Sequence, residues 1–160
     1  DGASSDRTRE IAHGDAIIFL HADTTLPAGA CAAVAHALAN GAEFGGFRIR
    51  FEEDLFRLRY VAFMVNTRTR VTKQPWGDQA QFVRRAAFLE HGGYREIPIM
   101  EDYELATRMK RRVLLPLAVT TSGRRFLQRG VVRTSVINWL VIAGFHFGVS
   151  PARLAALYRR

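Results

Sequence analysis

At 160 residues the chain fits one domain, and a 48% hydrophobic content excludes wholesale disorder. Its net charge of +8, from 23 Lys and Arg against 15 Asp and Glu, suits a polyanionic partner: a nucleotide diphosphate, a nucleic acid or an anionic membrane face. A solvated basic surface gives the same balance. The lone Cys31 excludes an internal disulfide and a cysteine zinc cluster, fits a reducing compartment, and is expected to be a small buried hydrophobe.

The segment opens in a turn-like run, Asp1-Gly2-Ala3-Ser4-Ser5-Asp6, and reads as a fragment. Ala16 to Leu20 is short, apolar and β-branched, a buried strand ending at His21-Ala22-Asp23. Pro27 opens an alanine-rich helix that Gly41 stops. Phe47, Ile49 and Phe51 alternate with Arg48, Arg50 and Glu52, which predicts a strand with one wet face. Leu55, Leu58, Val61, Ala62 and Val65 are spaced as in a helix from Asp54 to Thr69. A strand is expected from Gln79 to Val83, then a short helix from Ala86 to His91 closed by Gly92-Gly93.

Glu101-Asp102 opens the next helix, which runs to about Arg111, and Leu114 to Thr121 forms another strand. Val131 to Phe147 is a long apolar helix, and Pro151 begins a final short one. The apolar stretch from Val136 to Val149 is about 14 residues, short of the ~20 that span a bilayer. It suits a core helix or one lying in a membrane interface, where Arg133, Arg153, Arg159 and Arg160 would flank it. Strands alternating with helices give an α/β class.

Three clusters hold chemistry. His21 and Asp23 end a strand, the edge where open α/β sheets bind ligands; Asp23 offers hard oxygen to Mg²⁺ or Mn²⁺, and His21 a nitrogen. Capping of the following helix by Asp23 or Thr24 is the competing explanation. Of the adjacent acids Glu101 and Asp102, one can face a cleft as a general base while the other favours the positive end of the helix dipole. Asp1, Ser4, Ser5 and Asp6 can present short oxygens and backbone N–H groups to a nucleotide, or form a plain turn.

Taken in order, Asp-Gly-x-Ser-x-Asp-x-Thr, a strand ending in Leu20-His21-Ala22-Asp23-Thr24, then Gly77-Asp78-Gln79, then Glu101-Asp102 before a helix, the chain resembles the family 2 glycosyltransferases. The similarity is greatest to the bacterial radical-SAM/selenodomain-associated subgroup. It runs on through Gly46-Phe47-Arg48, Gly92-Gly93-Tyr94, Thr121-Ser122-Gly123-Arg124-Arg125 and Gly148-Val149-Ser150-Pro151.

The resemblance implies a GT-A fold, a Rossmann-type mixed sheet flanked by helices. It also implies inverting, metal-assisted transfer of a sugar from a nucleotide-diphosphate donor to an acceptor hydroxyl. By that resemblance Asp1, Ser4 and Asp6 lie near the nucleoside, and Asp23 meets the cation, Mn²⁺ or Mg²⁺, and the diphosphate. His21 stands where the family has an acid. Asp102 deprotonates the acceptor with Glu101 beside it, and His146 is a further candidate metal ligand or a core histidine. Trp76, Asp78, Gln79, Arg124 and Arg125, with Arg84 and Arg85, are candidate acceptor or phosphate contacts. Asp23 and Asp102 are expected to face one cleft.

Residues 1–130 would form the catalytic domain, and 131–160 a helical extension packing on it or on a membrane surface. The acceptor is left open among lipid, glycan and small molecule. The expected location is cytoplasmic, with peripheral attachment to the inner face of the cell membrane as an option. No nucleic-acid partner is expected. By the resemblance, the family's first strand and helix would precede Asp1, and part of its donor loop would fall between Thr8 and Gly14, where two pieces not consecutive in the natural protein are expected to join. Two readings of other classes stay open: a non-catalytic basic module for nucleic acid or anionic lipid, and a nucleotidyltransferase of similar fold.

Overall fold

The structure, a computed structural model, describes residues 14–159. Asp1, Ser4 and Asp6, and the join expected before Gly14, lie outside them. The first strand, β1 (Ala16–Ile18), is the predicted apolar run, and its ladder continues by one bond from the Phe19 N–H to the Gln81 carbonyl at 2.8 Å. A two-residue strand, β2 (Thr24–Thr25), follows, and the alanine-rich helix is α1 (Ala30–Ala39). Gly29, left-handed at φ 77°, precedes α1 without a side-chain cap, so neither Asp23 nor Thr24 caps it. The Thr24 hydroxyl instead donates to Thr121 Oγ1 at 3.0 Å. Cys31 is exposed, not buried. It falls on the solvent side of α1, whose inner side is Ala30, Val34 and Leu38.

Next come β3 (Phe44–Phe51) and the long helix α2 (Phe56–Thr72). The strand expected from Gln79 starts later: Gly77–Gln79 forms a single 3₁₀ turn, and β4 is Phe82–Arg84. Then follow α3 (Arg85–Glu90), α4 (Glu101–Arg108) and β5 (Arg112–Thr121). A six-residue helix not foreseen in the sequence, α5 (Arg124–Arg129), leads into α6 (Val131–His146) and α7 (Pro151–Arg159).

The five strands form one mixed sheet in the order β1-β4-β3-β5-β2. β3 and β5 are parallel, with a bulge between Phe47 and Arg48; the other neighbours are antiparallel. The alternation of side chains along each strand splits the core in two. Phe47, Ile49, Phe82, Leu115 and Val119 face α1 and α2, meeting Val34, Leu38, Val61 and Val65. Phe44 and Val83 face the other way, meeting Phe88 of α3 with Leu105 and Ala106 of α4. Because both faces are covered, the wet face expected of β3 shrinks to Arg48 and Arg50 at its far end. The chain is therefore of α/β class, with a mixed sheet flanked by helices.

Close packing fixes several glycines. A Cβ at Gly45 would lie 2.4 Å from the Val113 carbonyl oxygen and 2.5 Å from the Phe82 ring. One at Gly144 would lie 2.7 Å from Leu154, where α6 meets α7. The segment after 130 packs on the rest of the protein: α6 lies against α2 and α5, and Phe145 meets the Tyr103 ring edge-on at 5.8 Å. No helix among the described residues is long and apolar enough to cross a membrane.

Candidate functional site

The residues of interest gather where β1 runs out beside the segment leading into β4. The β1–β4 register, Ile18 opposite Phe82, carries His21 alongside the Gly77–Gln79 turn. The backbone then reverses, with the Thr24 N–H donating to the His21 carbonyl at 3.0 Å, so His21 and Asp23 share one exposed turn.

Asp102 enters from α4. Met100, left-handed at φ 70°, breaks the preceding chain and sets Glu101 and Asp102 in the first helical turn. Both oxygens of the Asp102 carboxylate are held: Oδ2 accepts the Gly77 N–H at 2.5 Å, and Oδ1 accepts its neighbour Tyr103 N–H at 2.7 Å. Glycine at 77 is what permits this approach. The position its Cβ would take lies 2.7 Å from His21 Nε2 and 3.0 Å from Asp102 Oδ2, so histidine and carboxylate close over the same point. Burial raises the Glu101 carboxyl above the usual range; Asp102 adds to the rise and His21 opposes it.

Asp78 lies behind this front. Its Oδ1 is out of solvent and has no partner among the described residues. Burial pushes its carboxyl up to about 6, against the pull of Arg68, with Asp102 raising it and His21 and Arg125 lowering it. Arg68 is its buried counter-charge, lowered to about 10 by burial, with Asp78, Tyr103 and Asp102 opposing the fall. The Arg68 guanidinium stacks 3.8 Å from the Trp76 ring centre and donates to Thr69 Oγ1 at 2.7 Å and the Gln74 carbonyl at 3.1 Å. Its Nε and Nη1, with Trp76 Nε1, are buried without partners among the described residues.

Gln79 is not an acceptor contact. Fully buried, it accepts from the Thr69 hydroxyl at 2.9 Å, the Trp76 N–H at 3.1 Å and Arg68 at 3.3 Å, and donates to the Phe47 carbonyl at 2.9 Å. Its amide fastens the 3₁₀ turn to β3 and α2. Gln81 does likewise for α4, donating to the Pro75 carbonyl at 2.9 Å and the Asp102 carbonyl at 3.0 Å, and it accepts the Tyr94 hydroxyl at 3.2 Å. Burial raises the Tyr94 phenol, and the charges of Asp102 and Glu101 raise it further.

Of the four candidate arginines, Arg84 and Arg125 are spent elsewhere. Arg84 donates to the Leu38 carbonyl at the end of α1, where a positive charge complements the helix dipole. Arg125 donates to the Tyr158 hydroxyl and lies 4.0 Å over its ring. Arg124 is exposed. His146 is not a core residue: it is exposed at the end of α6, and its Nε2 pairs with the Tyr103 hydroxyl at 2.9 Å. The described residues contain no group of three or more His, Cys, Asp or Glu that could hold a metal ion.

Arg68, Gln81, Tyr94 and Tyr103 were not singled out as site residues in the sequence. Arg68 had a signal, since it falls on the inward spacing of Leu58, Val61 and Val65. Gln81, Tyr94 and Tyr103 act only through tertiary contacts.

With models of protein families, with curated proteins and with solved structures alike, the chain gives no match.

Proposed function

We propose that the protein is an inverting glycosyltransferase of GT-A type, which moves a sugar from a nucleotide-diphosphate donor to an acceptor hydroxyl with Asp102 as general base. The observation that carries this reading is the Asp102 carboxylate, fixed by backbone N–H groups from two segments and facing the same point above Gly77 as His21 Nε2. These two bonds fix the carboxylate's orientation and leave each oxygen a further lone pair that can accept a proton. Asp102 takes the proton of the acceptor hydroxyl as that oxygen attacks the anomeric carbon. The bond from that carbon to the diphosphate oxygen breaks on the opposite side, so the configuration inverts. Glu101 stands beside the base in the same helical turn, its carboxyl raised by burial.

The same reading includes a divalent cation. Asp23, exposed in the turn after β1, would offer a hard oxygen to Mg²⁺ or Mn²⁺. When bound, the cation supplies Lewis-acid stabilisation to the departing diphosphate.

The test is a screen of nucleotide-diphosphate sugars for Mn²⁺-dependent release of nucleotide by the full-length protein. Release that requires both donor and acceptor supports transfer. Formation of a sugar nucleotide from a sugar phosphate and a nucleoside triphosphate would assign a nucleotidyltransferase instead. Asp23→Ala should lose Mn²⁺-dependent donor binding by calorimetry; unchanged affinity would remove Asp23 from the cation site.

A further inference from the structure

Two helices of this fold are apolar on the side that faces the core and again on the side that faces water. On α2 the outward residues Phe56, Tyr60, Phe63, Met64 and Val71 recur at helical spacing, opposite the buried Leu58, Val61 and Val65. On α6 the outward residues Val132, Val136, Trp139 and Leu140, with Phe147 at its C-terminal cap, repeat that spacing step for step. Phe63 is 62% exposed, Phe56 78% and Phe147 87%, values that folding alone does not explain. The two helices pack against each other.

Charge along these helices has one sign. Residues 55–77 and 122–160 contain no Asp or Glu, so α2, α5, α6 and α7 carry only arginines and a histidine as charged or titratable polar groups, apart from tyrosine. Arg57, Arg59 and Arg70 border the α2 stripe, and all three are exposed. Asp54, just before α2, pairs with Arg59 at 3.6 Å in full solvent, a contact of little strength.

We propose that the outward stripes of α2 and α6 seat this protein in the interfacial layer of an anionic lipid bilayer. The proposal stands on these stripes and does not depend on glycosyl transfer. Aromatic and aliphatic side chains enter the headgroup–acyl boundary, Tyr60 and Trp139 keep their polar edges at headgroup level, and the bordering arginines meet lipid phosphates. A second copy of the chain is disfavoured as the occupant. A two-fold interface through these stripes would set each arginine border against its own like. Nucleic acid is disfavoured too, since Val71, Val132, Val136 and Leu140 offer nothing to a base or a phosphate.

The test is co-sedimentation of the full-length protein with phosphatidylcholine vesicles, with and without phosphatidylglycerol, at low and raised salt. Binding is expected only with phosphatidylglycerol present, weakened by salt, with a blue shift of Trp139 emission that Trp139→Phe abolishes. Phe63→Glu together with Trp139→Glu should lower vesicle partition at least about tenfold without changing the melting temperature, because both residues are exposed. Failure of the wild type to bind anionic vesicles overturns the proposal, as does equal binding by the double variant. So does concentration-dependent self-association, or capture by an oligonucleotide, with no vesicle binding.

Discussion

Replacing Gly77 by alanine isolates the geometry of the site from the stability of the fold. The backbone at Gly77 is not left-handed, so alanine is conformationally allowed, and loss of glycine freedom in the unfolded chain contributes about 0.4–1 kcal/mol of stability. The new methyl would meet His21 Nε2 at 2.7 Å and Asp102 Oδ2 at 3.0 Å. Carbon contacts settle near 3.5–4.0 Å, so these groups must give way by roughly 0.5–1 Å. His21 is exposed and can swing out, and Asp102 shifts on its helix. Stability should thus change by less than about 1 kcal/mol, while a misplacement of that size costs catalysis on the order of 10²-fold. Gly45→Ala is the control. Its methyl would meet the Val113 backbone at 2.4 Å in the middle of the sheet, where overpacking costs about 1–3 kcal/mol or more. Urea unfolding and nucleotide release, measured on both variants, separate the two effects. Wild-type turnover by Gly77→Ala would refute the account of the site, and so would a stability loss as large as that of Gly45→Ala.

Gln79→Ala should unfold at lower urea by about 3 kcal/mol, since the Thr69 hydroxyl, the Trp76 N–H and the Phe47 carbonyl lose a buried partner together. A loss below about 1 kcal/mol would return Gln79 to the surface role its sequence neighbours suggest. Asp78 predicts a pH dependence. Its folded carboxyl, near 6, binds protons more tightly than the unfolded carboxyl, near 3.8, so wild-type stability falls as pH rises between those values. Asp78→Asn lacks that dependence, and its stability relative to wild type should improve by about 2–3 kcal/mol from pH 3.5 to 7. Parallel stability curves for the two proteins would show that the Asp78 carboxyl is not strained by burial.

The helices were legible because their apolar spacing is written in the chain: Val34 and Leu38 in α1, and Leu58, Val61 and Val65 in α2. The expected β1 and β5 also lie within a few residues of their observed bounds. β2 was hidden because two threonines carry no apolar pattern and pair only through β5. Six residues between glycines are too few to announce α5. At the site, Glu101 and Asp102 were visible as acids at a helix start, and Gly77-Asp78 as a turn. Which of them shared a point in space was not visible, since that follows from the β1–β4 register and from Met100. Gln79 misled because a polar residue in a turn reads as exposed until the tertiary fold surrounds it. The apolar stretch in α6 fits a core or an interface equally well in one dimension. Only the packing shows that Thr134, Val141 and Ile142 face inward while Trp139 and Leu140 do not.

The central claim is that Asp102 accepts the acceptor's proton, and Asp102→Asn addresses it most directly. The amide oxygen can still accept the Gly77 or Tyr103 N–H, so the local fold and donor binding should survive. Single-turnover transfer from the donor found in the nucleotide-sugar screen should fall about 10²–10⁴-fold at unchanged donor affinity. Transfer at the wild-type rate by a folded Asp102→Asn protein would contradict the claim.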